Sequence, residues 1–410
     1  MTAIVTKIPA LRFPEFEGEW VKLKIKDVGQ IRSGSTPLRS KKQYFQDGLI
    51  SWVKTTDLNN SYIYQTEENV TERALKETSL KLFAPGSVLV AMYGGFNQIG
   101  RTGLLKVEAA TNQALSVISV NEVVIPEYLL SWFNAKVRLW KRFAGSSRKD
   151  PNITGSDVAN FPVWLPPKVE QQKIATFLTT IDARIQQLRR KKALLEQYKK
   201  GVMQQIFSQE IRFKDEEGKE FPAWEYRRLS SVLNEHGLKS NDVEEVYSVS
   251  VHKGVINQKE HLGRSFAAAT TSHYNLVKPH DIIYTKSPTG DFPLGIIKQS
   301  RVDRNVIVSP LYGVFTPETP ALGYILNDYF AYSANTHNYL QSIIQKGAKN
   351  TINITNKTFL SKSLRLPVSK EEQQKIAAFL SSIDRQINLA TQQLNRMQTF
   401  KKGLLQQMFV

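Results

Sequence analysis

The segment Gln171-Gln172-Lys173-Ile174-Ala175 recurs as Gln373-Gln374-Lys375-Ile376-Ala377, an offset of 202 residues. At the same offset Phe177-Leu178 matches Phe379-Leu380, Ile181-Asp182 matches Ile383-Asp384, and Lys199-Lys200-Gly201 matches Lys401-Lys402-Gly403. Over 171–207 the copies agree at 16 of 37 positions, too many for chance. Asn152-Ile153-Thr154 recurs as Asn353-Ile354-Thr355, and Leu165-Pro166 as Leu366-Pro367. Trp20 through Val28 aligns loosely with Trp224 through Val232, each after a Phe-Pro pair, Phe13-Pro14 and Phe221-Pro222. Repeats of 20–50 residues make solenoids. A period four times longer means that a whole unit has been duplicated.

The repeated blocks have helical spacing. Ile174, Leu178, Ile181, Ile185, Leu188 and Leu195 fall at alternating steps of four and three, and Ile376, Leu380, Ile383, Ile387, Leu394 and Met397 form a second such stripe. These steps describe a coiled-coil seam. The Ser369-Lys370-Glu371-Glu372 run after Pro367 is a capping box, and Pro166-Pro167 is a suitable entry to the first helix. Two stripes of equal length and register are expected to pair antiparallel, each helix about 38 residues or roughly 57 Å long. Lys192 and Lys199 interrupt the first seam; Gly201 and Gly403 each cost about 1 kcal/mol inside a helix. Close helix crossing and fraying explain these glycines equally well.

Between the anchors the halves diverge. Ser87–Met92, Leu115–Ile118 and Ile282–Tyr284 are rich in strand formers, while 128–143 and 321–345 have helical spacing. The expected fold class is α+β: two globular domains, 1–168 and 211–368, with helices at 169–210 and 369–410, related by a pseudo-twofold internal repeat.

The net charge of +18 favours polyanions. Lys+Arg exceed Asp+Glu by 22 to 15 in residues 1–168 and by 19 to 15 in 211–368, so the excess is spread over folded segments and not held in a tail. Several loops suit nucleic acid. Ser35 and Thr36 with Arg39, Lys41 and Lys42 combine hydroxyls and cations that can hold phosphate. Tyr93, Asn97, Gln98 and Arg101 lie on a glycine-rich turn, with side chains able to read adenine and guanine edges. Arg138, Lys141, Arg142, Arg148 and Lys149 form an acid-free run. In the second half His252, Lys253, Lys286, Arg301, Arg304, Lys346, Lys349 and Asn350 are the comparable candidates.

Catalytic signatures are missing. There is no Walker A sequence, no Asn-Pro-Pro-aromatic motif for amino-group methylation and no glycine-rich cofactor fingerprint after a strand. The six histidines have no metal-like spacing, and a chain without cysteine fits a reducing compartment. No apolar run approaches the roughly 20 residues of a membrane span. The chain is therefore expected to be cytoplasmic, with no membrane partner, no catalytic residue and no metal site.

In order along the chain, Phe13-Pro14 and Trp20, Ile31 through Pro37, Ile50 through Leu58, Asn112-Gln113-Ala114 and Leu165-Pro166-Pro167 leading to Glu170 through Ala175 resemble the specificity subunit of a type I restriction–modification system. The second Leu366-Pro367 and Glu372 through Ala377 strengthen the likeness, which covers essentially the full length. The second variable block lacks the Gly-Ser-Thr-Pro and Ser-Trp-Val pieces and is expected to read a different half-site. The resemblance implies two target-recognition domains on a bipartite, asymmetric double-stranded DNA site, with the helices setting the spacer. It implies two modification subunits that bind S-adenosylmethionine and methylate adenine, and optional restriction subunits that use ATP and magnesium. No cofactor would be bound by this chain. A stand-alone double-headed DNA-binding regulator and a coiled-coil adaptor are the competing readings.

Overall fold

The computed structural model describes residues 6–144, 152–264, 270–286, 288–346 and 352–410. They form two compact units, Met1–Lys191 with Ala390–Val410, and Lys192–Leu389. Each unit combines one mixed α+β domain with part of each long helix, Lys168–Ser208 and Lys370–Gln407.

In the first unit the main sheet has strand order Gly29–Ser33, Leu115–Val120, Val88–Ala91, Thr102–Leu105 and Ser61–Ile63, antiparallel except for the last pair. In the second, Leu233–Glu235, Gly313–Pro317, Ile282–Tyr284 and Ile297–Gln299 repeat the first four places, all antiparallel. A three-strand sheet of Thr6–Lys7, Trp20–Lys24 and Pro162–Leu165 accompanies the first main sheet, and a two-strand ribbon of Glu225–Arg228 and Ser363–Leu366 accompanies the second. The strongly divergent second block thus repeats the same four-strand order, because short, continuously buried strands such as Ile282–Tyr284 and Ile297–Gln299, bounded by turns, form it without the missing motif pieces.

The short Asn-Ile-Thr repeat has a local cause. Thr154 and Thr355 cap short helices, accepting the backbone N–H of Asp157 and Thr358, while Ile153 and Ile354 are buried beneath. Pro126 and Pro320 each open a helix, Pro126–Ala135 and Pro320–Phe330, at the first-turn position where a missing N–H costs nothing.

Within each unit the two helix segments run antiparallel and share the domain's core. In the first, Ile174, Leu178, Ile181 and Ile185 join Leu404, Met408 and Phe409 around Trp20 and Tyr128. Phe409 sits edge-on to Trp20, Tyr128 and Trp132, with centroids 6.4, 5.6 and 5.8 Å away. In the second, Val202, Met203 and Ile206 join Ile376 and Leu380 around Trp224, and Phe207 meets Trp224 edge-on at 5.5 Å. Leu188 and Ile383 are also buried; Leu195, Ile387, Leu394 and Met397 are half-buried. The seam is therefore tightest where it also touches a domain.

Three details of the sequence reading change. Phe13 does not correspond to Phe221. Leu11-Arg12-Phe13 corresponds to Ile211-Arg212-Phe213: Leu11 and Ile211 donate their backbone N–H to the carbonyls of Gln407 and Gln205, at 2.9 and 3.1 Å. Phe13 packs edge-on to Phe177 at 5.6 Å, and Phe213 to Phe379 at 5.7 Å. A turn bridged by Lys214 and Glu220 displaces the second Phe-Pro pair along the chain. Lys199 does not interrupt the seam but neutralises Asp384 and Asp328, at 2.8 and 2.6 Å. Nor does close helix crossing explain Gly201 and Gly403, since a Cβ at either would meet nothing within 4 Å among the described residues.

Candidate DNA interface

Antiparallel pairing sorts the loops to sheet ends. In the first unit Ser33 lies opposite Ser116, Leu115 opposite Ala91, and Val90 opposite Thr102. The segment after Ser33, the glycine-rich turn 92–101 and the short link 112–114 therefore leave one end together. Hydrogen bonds bind them into one surface. Ser35 donates its N–H to Thr111 O at 2.9 Å, Ile153 donates to Met92 O at 2.9 Å, and the Thr36 hydroxyl donates to Gln113 Oε1. Gly34 is required here, because a Cβ would lie 2.0 Å from the Thr111 carbonyl.

The cations at this end differ in how far they are committed. Arg39 stacks over Phe45 and Trp52, at 4.7 and 4.8 Å, and pairs with Glu68. That contact fixes a planar guanidinium at the surface. Lys41 lies against Tyr44, its ammonium 3.2 Å from the phenol oxygen, whereas Lys42 is exposed at the start of a helical turn. Tyr93 and Asn97 are exposed on the glycine-rich turn. Arg101 is half-buried and donates to the Asn97 carbonyl at 3.1 Å. The Gln98 amide oxygen is buried and has no hydrogen bond among the described residues. Arg138, Lys141 and Arg142 lie on exposed parts of the helix Val137–Ala144. Arg148 and Lys149 lie outside the described residues.

In the second unit Tyr284 pairs with Gly313 and Ile297, so segments 285–296 and 309–312 leave the equivalent end. Lys286 stands there with a positive φ of 58°, and burial lowers its pKa against the pull of Glu235. Glu235 accepts from the Asn356 amide at 2.5 Å. Lys346 belongs to the strand Gln345–Lys346, which pairs with Ile352–Asn353. Lys349 and Asn350 lie outside the described residues. His252 and Lys253 are exposed at the tip of the hairpin Tyr247–Ser250 and Gly254–Asn257.

The two arginines of 301–304 have different surroundings. Arg304 is exposed but pairs with Glu245 at 2.6 Å. Arg301 follows Gln299, which pairs with Ile282, and so lies at the sheet end opposite Lys286. Its guanidinium is 4.7 Å from the Tyr324 ring and 3.2 Å from Asp384 on the long helix. Burial pulls its pKa down, but Tyr324 and Asp384 hold it above the ordinary arginine value. Arg301 is built into the joint between domain and helix, away from the loops.

Sequence reasoning did not single out Gln113 as a contact residue. It is exposed among the loop ends of the first unit, where the second unit has Pro310 and the exposed Leu311. The Asn-Gln-Ala triplet was visible, but its place at a strand start depends on tertiary pairing. Among the described residues there is no group of acidic, histidine or cysteine side chains able to hold a metal, and no helix long and apolar enough to cross a membrane.

A duplicated sheet with clustered polar loops at one end, mounted on long helices, defines a modular recognition protein. The profile of the type I restriction modification DNA specificity domain matches the chain twice, at residues 17–197 and 224–399, and the chain belongs to that family. It is 33% identical over 242 residues to the type I restriction enzyme MjaIX specificity subunit of Methanocaldococcus jannaschii, covering 56% of this chain and 55% of that protein. It is 25% identical over 177 residues to the EcoR124I/EcoR124II specificity subunit of Escherichia coli, covering 42% and 43%. The chain thus spans about half the length of the curated relatives it matches. The fold is similar to the crystal structure of the type I restriction–modification S subunit from M. genitalium, with a TM-score of 0.63, 13% identity, and 98% and 99% of the two chains covered. A chain from structural work on assembly and conformational transition of the type I R-M system matches with a TM-score of 0.51 and 16% identity, over 95% and 97%.

Proposed function

We propose that this chain is the DNA-reading specificity subunit of a type I restriction–modification complex. Each unit reads one half of a bipartite, asymmetric duplex site, and the helices set the unspecified spacer between the halves. The observation that carries this reading is a shared scaffold with different loop chemistry. The same four-strand order ends in Asn112-Gln113-Ala114 in one unit and in Ser309-Pro310-Leu311-Tyr312 in the other. Amide side chains can pair with adenine edges, whereas an exposed leucine offers an apolar contact suited to a thymine methyl.

The chain itself is a non-catalytic cytoplasmic subunit. Chemistry belongs to its partners: two modification subunits that use S-adenosylmethionine to methylate adenine, joined in complete systems by restriction subunits using ATP and magnesium. The test is a block exchange. Replacing residues 211–365 with the corresponding block of a relative, then mapping methylated motifs genome-wide, should change one half of the motif and leave the other intact. A change in both halves, or in neither, rejects the modular reading.

A further inference from the structure

A cleft opens at the same place in each repeat, where the end of a long helix passes the domain's helix pair. In the first unit that pair is Pro126–Ala135 and Val137–Ala144, and in the second Pro320–Phe330 and Ser333–Gln341. The first cleft, of about 580 Å³, is lined by Lys136, Arg138 and Arg142, and by Lys402 from the long helix. The second, of about 380 Å³, has Lys200, the repeat equivalent of Lys402, but Ser333 and Asn335 on its helix pair. The scaffold is duplicated and its charge is not. A ligand common to both units would favour the same lining twice, so the difference points to one that is bound once.

The charge of the first cleft lacks a counterpart. No acidic side chain is among the described residues that line it. Arg138 and Arg142 are exposed one turn apart on the same helix face. Lys136 is half-buried, its ammonium 3.5 Å from the Phe409 carbonyl, and burial and the charge of Lys7 both lower its pKa. No carboxylate among the described residues offsets that effect. Lys7 and Lys22 lie 5.8 and 5.9 Å from the ring of Trp164, which also lines the cleft. A bound anion relieves such repulsion. Much of the remaining lining is apolar, Trp164 and Leu405 included. Small-molecule sites have this character, a largely apolar pocket of roughly 300–1,000 Å³ with a few polar groups. A lone phosphate would use the cations and leave most of the volume empty. An apolar ring system carrying several phosphates uses both.

We propose that the cleft of the first unit binds one nucleoside triphosphate, its phosphates held by Lys136, Arg138, Arg142 and Lys402 and its base against the apolar lining. Such a ligand joins the end of the long helix to the helix pair, so binding should stabilise the first unit. The proposal concerns binding alone and does not rest on the reading of DNA by the loops.

Calorimetric titration of the full chain with ATP, without magnesium, should show one saturable site per chain. Adenosine and pyrophosphate, each making part of the contacts, should bind at least about tenfold more weakly. Arg138→Ala and Arg142→Ala should each weaken ATP binding by about tenfold, the scale of one charge-assisted hydrogen bond. Lys141→Ala removes an exposed cation of the same helix that does not line the cleft, and Lys200→Ala removes the lysine of the second cleft. Both should bind ATP as the parent does. Saturating ATP should raise the melting temperature of the parent but not that of the variant combining Arg138→Ala and Arg142→Ala. Both changes fall on exposed positions, so the free double variant should melt with the parent. Absence of saturable binding below about 1 mM overturns the proposal. Equal losses in Lys141→Ala and Arg142→Ala also overturn it, since they mean diffuse attraction to a basic chain. Two sites, one of them lost in Lys200→Ala, overturn the assignment to a single unit. A parent that ignores ATP, with weaker duplex binding in the double variant, would make the cleft a DNA phosphate contact and not a nucleotide site.

Discussion

Lys401 and Asp182 meet at 2.5 Å between the helix segments of the first unit, and Lys199 and Asp384 repeat the pair at 2.8 Å in the second. The four residues are equivalents under the 202-residue offset. Their surroundings differ. The first pair has no further ion-pair partner among the described residues, and its side chains are 19% and 25% exposed. In the second, Lys199 also holds Asp328, 3% exposed, and Asp384 accepts from Tyr324 and Arg301. Burial raises the pKa of Asp328, whereas Lys199, Tyr324 and Arg301 hold that of Asp384 low in spite of its burial.

This difference predicts unequal costs for the same substitution. Lys199→Met leaves one buried and one half-buried carboxylate sharing a site and should cost about 3 kcal/mol. Lys401→Met breaks a pair that water reaches and should cost about 1 kcal/mol. Hydrogen exchange of amides in each unit reads the two losses separately. Equal losses would show that the extra partners of Lys199 contribute nothing.

The end of each long helix should be a stability hot spot. Phe409 is 3% exposed and touches three aromatic rings, so Phe409→Ala leaves a cavity and should cost about 4 kcal/mol. Phe207, half-buried against Trp224 and Tyr329, should cost about 2 kcal/mol when truncated. Denaturant melts of the two variants check the order, and the reverse ranking would contradict the packing described.

Much of this architecture is readable in the chain because helices and caps are local. Ile174 through Leu188 announce a buried stripe by spacing alone, and the repeated Thr154 and Thr355 are N-caps whose identity follows from one side-chain hydrogen bond. Contacts that depend on strand pairing were not readable. Arg301 and Lys286 look alike as loop cations, and only the pairing of Gln299 with Ile282 and of Tyr284 with Gly313 sends them to opposite sheet ends. The match of Arg12 with Arg212 was hidden by a nearer but misleading Phe-Pro repeat.

That match carries a pH prediction. Arg12 grips Glu170 with two hydrogen bonds, 2.8 and 2.7 Å, and the carboxylate raises its pKa. The equivalent Arg212 turns to Glu220 and the Phe221 carbonyl, leaving Glu372 1% exposed with one oxygen that has no hydrogen bond among the described residues. Burial raises the pKa of Glu372, and Trp224 and Arg212 offset this only in part. A carboxyl whose folded pKa is raised favours the fold when protonated. That contribution is complete below the ordinary glutamate range and is lost as pH rises through the raised value. Glu372→Gln should therefore match the parent near pH 4 and exceed its stability at pH 7.5. Glu170→Gln should be less stable at pH 7.5. A loss in Glu372→Gln at pH 7.5 would mean that the carboxylate is paired.

The placement of Lys42 and Arg301 predicts a separation of DNA binding from stability. Lys42 is exposed on the segment that leaves the loop end of the first sheet, where a duplex laid across the loops would bring phosphate within reach. Removing one phosphate contact lowers the slope of log K against log salt by about 0.9 and weakens binding without regard to sequence. Lys42→Ala should therefore bind specific and random duplexes more weakly by the same factor, with a flatter salt dependence and an unchanged melting curve. Arg301→Ala should do the reverse, since its guanidinium serves Asp384 and the Tyr324 ring at the opposite sheet end. Its salt slope should equal that of the parent while the second unit loses stability. The measurement is a titration of each variant with both duplexes across a salt series, beside a thermal melt. A flattened slope for Arg301→Ala with a parental melt would move the DNA to the helix-facing end of the sheet and overturn the assignment of the loops.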